Sequence, residues 1–553
     1  MIAAVPAYIA LSVICFSARV IVFAASYGAV EHDSGWALGV AQNLALRGIY
    51  ASYTNPIRDD SPGPHPSIHE RFSVQDAQGF SYFPGGVAMG SGYVVPEAVV
   101  IKLFGPGFWQ YRLWPLLAFV LLLTAVFWLV WRIGGLPALI ALQMWLWAVP
   151  QFTTQFAYEA FSEHIALLFL LLAFVALSYG GESRGAARAI SGFRLGLAYL
   201  TKSISVLSGA GVLPLIAWQL YMGRRDLRRG LARWALFGGS ILAPIAAYEL
   251  YRFVSLTSTF GIESWYAINE DIRLHALSAG SGLSLAPLLQ PDVGFILNKL
   301  DIWRDLGASQ SVVLWVGLLL SPLVFVRRAA RSNLPILGIM WCGAMLTFAW
   351  FVLLSANGWA RHAWPSLFLA MMLLCIAGGL LLRACLDSRN LSIACALGLV
   401  LFGLYGVRYE SLELRPVLDQ ETIESWLAVR NLRGPGLGLP SHTLLSFADQ
   451  VELISFFGNG VAPEDRVYYL DQFLNAEAST LVDRVFYTAD RYKVLGQRNA
   501  AGGESYLIFG PYQRGPAAIT SDTYMADRLR EYCGEIVFRN PSYLLCRLKT
   551  GPS

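Results

Sequence analysis

The stretch EHDSGWALGVAQNLALRGIY, residues 31–50, sets Glu31, His32 and Asp33 directly after an apolar run. From Asp33 it reads as an amphipathic helix, with Trp36, Val40 and Leu44 at helical spacing and a stop at Gly48. An acid in that place has two readings. Asp33 can cap the helix by accepting from free backbone N–H groups, leaving Glu31 and His32 in a solvated loop. It can instead be a general base at the membrane face, taking a proton from a hydroxyl that attacks a lipid-borne substrate. Further along, Glu159 and Glu163 stand four apart beside His164, on one face of a helix. They can hold a metal or pair with an arginine. Lys202, in LTKS, is one of only five lysines among 41 basic residues and lies amid apolar sequence. Such a lysine either snorkels to the interface or serves a function within the membrane.

The elements that position these groups follow from composition. Of 553 residues 56% are hydrophobic and 14% charged, against about 25% charged in soluble domains, and the mean hydropathy is +0.50. The chain reads as an α-helical polytopic membrane protein. A net charge of +4 decides nothing about an anionic partner; membrane lipids are expected partners and nucleic acid is not. The first segment, Ile2 to Tyr27, is interrupted only by Arg19 and lacks the features of a cleaved signal, so it is read as a retained helix with the N terminus in the cytoplasm. Further spans of about 20 apolar residues begin near Leu113, Leu136, Ala160, Phe193, Ile204, Trp234, Ser311, Leu334, Pro365 and Leu391, which makes about eleven in all. Those at Phe193 and Ile204 are short and read alternatively as one long or broken helix. The inside loops all carry arginine, most densely Arg224, Arg225, Arg228, Arg229 and Arg233, as the positive-inside rule requires.

Three segments then fall outside: residues 28–112, 256–310 and 408–553. The first holds two interface helices, the second within SYFPGGVAMGSGYVVPEAVVIKLFG. Residues 1–407 form the membrane domain. The tail, 408–553, reads as a small extracytoplasmic α/β domain with strands in RVYYLD and ESYLIFG and a helix in TYMADRLREY. Cys533 and Cys546 bracket EIVFRNPSYLL, two strands around an Asn-Pro-Ser turn, and form either a disulfide or two core thiols.

Several motifs, in order along the first 400 residues, resemble the C-type glycosyltransferase superfamily of integral membrane enzymes (GT-C), which includes aminoarabinose transferases and protein O-mannosyltransferases. DSGWALGVAQNLALRGIY resembles the start of that family's first outer loop, where an Asp opens a juxtamembrane helix ending in Gly-x-aromatic. YFPGGVAMGSGYVVPEAVVIKLFG with YRLWPLLAFVLLLTAVFWLVWRIGG is similar to its Pro-rich interface helix, turn and next span. YEAFSEHIALLFLLLAF, GLAYLTKSISVL, YRFVSLTSTFGIESWY and NGWARHAWPSLFLAMMLL resemble its later segments. The tail carries no such resemblance.

The resemblance implies a polyprenyl-phosphate-sugar donor and transfer to a lipid, glycan or protein acceptor outside the membrane, with Asp33 as general base. It implies cations on the donor phosphate: Lys202 first, Arg361 second, Arg252 third. Glu31, His32, Tyr82, Glu159, Glu163 and His362 become candidates for substrate binding or a second acid, and Glu163 fits the family's acidic position better than Glu159. Relatives that follow the catalytic Asp with another acid differ here, where the next residue is Ser34. No cofactor is implied with certainty, and a divalent cation stays open because relatives differ. The alternative from another class is a transporter or flippase of a lipid-linked or anionic substrate; the inverted repeats that would mark it are absent from the sequence. The expected location is the bacterial inner membrane.

Overall fold

Apolar runs too long for a soluble core become helices. The computed structural model describes residues 5–27, 29–30, 32–54, 74–84, 90–148, 162–179, 185–222, 227–277, 293–294, 296–297, 318–325, 333–355, 360–386, 389–401, 447–469, 475–488, 503–510 and 523–549. Its first helices are α1 (Val5–Tyr27), α2 (His32–Arg47), α3 (Ser91–Phe104), α4 (Gln110–Gly134), α5 (Leu136–Ala148), α6 (Glu163–Tyr179) and α7 (Gly185–Thr201). Next come α8 (Ser205–Gly209), α9 (Leu213–Met222), α10 (Leu227–Phe260), α11 (Ile262–Leu277), α12 (Leu334–Leu353) and α13 (Ala360–Cys385).

Among the described residues five helical stretches are long and apolar enough to cross a membrane: Gln110–Gly134, Ser205–Met222, Gly230–Phe260, Leu334–Leu353 and His362–Cys385. Shorter apolar helices occupy Val5–Ile21, Leu136–Leu146, Glu163–Ser178 and Arg389–Leu401. The expected spans at Phe193 and Ile204 are separate pieces. Helix α7 stops at Thr201, residues 202–204 make a turn, and α8 resumes at Ser205.

Small residues let these helices touch backbone to backbone, the usual solution where lipid removes the hydrophobic drive for helix association. A Cβ on Gly192 or Gly196 of α7 would meet the carbonyls of Phe237 and Ile241 of α10 at 2.3 and 2.4 Å, so α7 and α10 run parallel. Gly211 abuts Ile339 and Gly343, while Gly343 abuts Ser208, so the Ser205–Met222 run lies antiparallel to α12. Ser208 Oγ and Thr347 Oγ1, 2.7 Å apart, close that seam with a hydrogen bond.

Outside the bundle, α2 ends with Gly48 at φ 74°, the left-handed C-terminal stop that glycine adopts without strain. The helix begins at His32, one residue before the sequence reading. Asp33 is therefore in its first turn and not at the cap, because a cap residue precedes the first helical one. A three-stranded antiparallel sheet follows in the order β1-β3-β2, from β1 (Ala51–Ser52), β2 (Val74–Gln75) and β3 (Ser81–Tyr82).

The C-terminal region holds α14 (Phe447–Gly460), β4 (Arg466–Tyr469), α15 (Ala476–Leu481), β5 (Phe486–Thr488), β6 (Ser505–Phe509), α16 (Thr523–Tyr532), β7 (Cys533–Arg539) and β8 (Leu544–Leu548). They build a mixed sheet in the order β5-β4-β6-β8-β7, with β4 parallel to both neighbours and the β7–β8 hairpin antiparallel. Cys533 and Cys546 bring their sulfurs to bonding distance across that hairpin, their Cα atoms 5.5 Å apart. The sheet's β5 edge is covered by the segment after α2, where Thr54 bridges to Phe486 and Phe486 N–H donates to Tyr53 O at 3.0 Å.

Gly211→Val forces a Cβ to within 2.4 Å of the Ile339 backbone carbonyl, which cannot rotate away. The expected cost is about 2–3 kcal/mol, read as a lower melting temperature of the detergent-solubilised protein.

Candidate functional site

Glu163 opens α6 and Lys202 sits in the turn after α7. Lys202 Nζ lies 2.8 Å from Glu163 Oε1, with the carboxylate side chain 1% and the lysine side chain 10% exposed. The acid thus meets a lysine in the turn that follows the neighbouring helix. The turn that carries Lys202 is fixed by its own backbone: Lys202 N–H donates to Ala198 O and Lys202 O accepts from Ser205 N–H, both at 2.9 Å. The N terminus of α3 seats on this turn, since a Cβ at Gly90 would overlap Leu200 O and one at Gly92 would lie 2.1 Å from Thr201 Oγ1.

A chain of contacts links this pair to the start of α2. Arg112 of α4 donates to Ala29 O at 2.9 Å, just ahead of Glu31, His32 and Asp33. Three residues on, about 4.5 Å along the helix, Pro115 O lies 3.1 Å from His164 Nε2. His164 adjoins Glu163. The beginning of α2, the beginning of α6 and the Lys202 turn therefore share one end of the bundle.

The start of α13 belongs to the same end. Following the antiparallel seam from Gly211–Ile339 through Ser208–Thr347 and on to Lys202 leads to the last turn of α12. There Trp350 packs against His362, ring centroids 6.2 Å apart. Arg361 is thus at this level by its backbone; its side chain and those of His32 and Asp33 lie outside the described set, as do Glu31 and Glu159 entirely.

Because α7 and α10 run parallel, the last turns of α10 also reach this end. Arg252 is held there by Glu249 at 2.7 Å and by Asn269 at 2.6 Å. Tyr248 and Tyr251 meet Tyr50 edge-on, and Tyr50 stacks on Phe83 at 5.1 Å. Tyr82 packs its ring on Phe260 at 5.0 Å; burial first, then Asp76, push its hydroxyl up. This aromatic wall joins the segment after α2 to α10. Among the described residues no three His, Cys, Asp or Glu side chains cluster as a metal would need.

One residue escaped the sequence reading. Glu97, on α3, is wholly buried with neither carboxylate oxygen hydrogen-bonded. Burial pushes its carboxyl up to about 8. Its position i+4 from Tyr93 was visible in YVVPE, but nothing in that pattern shows which face of the helix is covered.

No protein-family model matches the sequence, and no curated protein matches it significantly. Among solved structures the chain is similar to ArnT from Cupriavidus metallidurans. The crystal structure of ArnT bound to undecaprenyl phosphate aligns at 16% identity and TM-score 0.55, covering 98% of this chain and 99% of that one. The apo crystal structure aligns at 15% identity and TM-score 0.54, over 100% of both chains. At this identity the likeness establishes the fold alone: an ArnT-like helical membrane fold, C-terminal region included.

Truncating one partner of a buried ion pair leaves the other uncompensated, at a cost of about 3–5 kcal/mol. Lys202→Met alone is expected to lower stability by that order, and Glu163→Gln added to it to recover most of the loss, a coupling that a double-mutant cycle of melting curves measures. Glu97 gives a pH signature. Its folded value of about 8 stands above the ordinary 4.5, so the unfolded chain loses this proton first. The resulting destabilisation is absent well below pH 4.5 and complete above pH 8. Glu97→Gln should raise the melting temperature at pH 8 and leave it nearly unchanged at pH 3.5.

Proposed function

We propose that the chain is an inverting glycosyltransferase that moves a sugar from a polyprenyl-phosphate donor to an acceptor hydroxyl on the outer side of the membrane. The observation that carries this reading is the convergence at one end of the bundle. The start of α2 with Asp33, the buried Glu163–Lys202 pair and the start of α13 with Arg361 come from distant parts of the chain. The GT-C fold supports it, because the ArnT structure of the same fold binds undecaprenyl phosphate.

The chemistry follows from these residue types. Asp33 removes the acceptor's proton as its oxygen bonds to the anomeric carbon. The bond from that carbon to the donor phosphate breaks, and the electron pair leaves with polyprenyl phosphate. The developing charge needs cations and no general acid. Lys202 has three N–H donors, so it serves the phosphate while one donor stays on Glu163. Glu163 keeps the ammonium paired while the site is empty, since a buried lone cation is costly. Arg361 adds the planar fork that suits phosphate oxygens. Arg252, engaged by Glu249 and Asn269, is the third candidate cation for the phosphate. Tyr82, His32, His362, Glu31 and Glu159 remain candidates for gripping the sugar or the acceptor. The arginine-rich loops favour an N terminus in the cytoplasm and chemistry on the far side of a bacterial inner membrane.

Incubating the purified protein with a panel of undecaprenyl-phosphate hexoses and pentoses should release undecaprenyl phosphate with at least one of them. Asp33→Asn should abolish transfer and leave expression and membrane insertion near those of the parent. Transfer by the Asn variant at the parent rate would remove Asp33 as the base.

A further inference from the structure

Ala29 and Val30 lead into Glu31, His32 and Asp33 without a helix to satisfy their backbone, yet they are buried. Polar backbone groups in such a place need partners. Ala29 finds one in the membrane domain, from Arg112 of α4 at 2.9 Å. Val30 finds both of its partners in the C-terminal region. Its N–H donates to Gln450 Oε1 at 2.8 Å, and Gln450 Nε2 donates back to Val30 O at 2.8 Å. A primary amide is the side chain that offers an acceptor and a donor side by side, so Gln450 pairs with Val30 as a neighbouring strand would.

Gln450 is itself fully buried on α14 and braced from behind. Its Nε2 lies 3.4 Å from the Tyr543 hydroxyl, which donates to Glu477 Oε1 at 3.2 Å. Asn540 accepts from Ser542 N–H and Tyr543 N–H at 3.1 and 2.8 Å and donates to Asp449 O at 2.9 Å. The Asn-Pro-Ser turn of the β7–β8 hairpin is thus fastened to the residue beside Gln450. Lower down, the tail grips α2 again: Thr480 Oγ1 donates to Gly35 O at 2.8 Å, and Arg47 forms two bonds to Asp483 at 2.9 and 3.0 Å.

We infer that Gln450 is a positioning residue of the transferase site, holding from the C-terminal region the backbone that aims Asp33. This rests on Asp33 being the base. A base works only within hydrogen-bond reach of the proton it takes, and a misplacement of about 1 Å costs on the order of 10²-fold in rate. Asp33 stands three residues past Val30, between that clamp and the Thr480–Gly35 bond. The C-terminal region is on this account a fixed part of the catalytic end and not a separate module on a linker.

Gln450→Met keeps the side-chain length and removes both bonds. In the full-length protein, assayed with whichever undecaprenyl-phosphate sugar the parent turns over, kcat should fall about tenfold or more while the KM for donor stays within about twofold. Amide exchange should quicken over residues 30–36. Arg47→Ala is the comparison: it cuts an equally long-range tail contact 14 residues from Asp33, about 21 Å along the helix, and should leave kcat unchanged. Tyr543→Phe, which keeps the buried ring and removes only the hydroxyl behind Gln450, should lower kcat by a few fold; it decides the matter if Gln450→Met does not fold. Parent kcat in either folded variant overturns the inference. So does an equal loss of kcat in Gln450→Met and Arg47→Ala, which would mark general loosening of the tail. An active Asp33→Asn would instead overturn the base itself, so the two failures are told apart.

Discussion

A lysine and a glutamate buried side by side depend on each other. Lys202 and Glu163, 2.8 Å apart and nearly shut off from solvent, offset the cost of burying two charges only while both remain and stay close. That constraint fixes much else. It requires α6 to begin where α7 ends, and it requires the chain to break at Lys202 so that the ammonium can turn inward. It also requires neighbours that keep the pair dry, a task that falls to α3 with its N terminus seated on Leu200 and Thr201. On the proposed reading the same pair is a cation held ready for the donor phosphate, since an ammonium has three donors and Glu163 takes one.

The remaining frame brings partners to that cation. Glycine seams set α7 parallel to α10 and the Ser205–Met222 run antiparallel to α12, so the ends of four helices arrive together. Helices α2 and α3 and an aromatic wall of Tyr50, Phe83, Tyr248 and Tyr251 close one side of this end. From beyond the bundle the tail folds back on α2, covering it with α15 and bonding it at both ends. Burial on this scale also creates stress points: Glu97 is held neutral in the interior of α3's packing face, and Asp483 is held ionised, burial opposing but Arg47 and Tyr53 outweighing it.

Local chemistry was readable in the sequence and long-range pairing was not. The stop of α2 at Gly48, the strands in RVYYLD and ESYLIFG and the hairpin around Asn-Pro-Ser all follow from residue patterns within a few positions. Helix starts were less well marked: α2 begins at His32, one residue before Asp33, and apolar periodicity does not register a single added residue. The number of spans was blurred by short helices such as α7, whose polar and glycine positions face another helix rather than lipid. Nothing in YEAFSEH names Lys202 as the partner of Glu163, since the two meet only after α6 and α7 pack antiparallel. Gln450 was equally silent: a glutamine on a tail helix shows its purpose only once Val30 is beside it.

On the proposed mechanism the Lys202 ammonium, paired with Glu163 when the site is empty, receives the donor phosphate beside the start of α2. A cryo-electron microscopy map of the full-length protein with undecaprenyl phosphate tests it most directly. The account predicts phosphate oxygens about 3 Å from Lys202 Nζ, with the lipid tail leaving through the bundle wall and the first turn of α2 facing the phosphate. A headgroup bound elsewhere, with the Lys202–Glu163 pair closed and no shared space between Lys202 and Asp33, would contradict it.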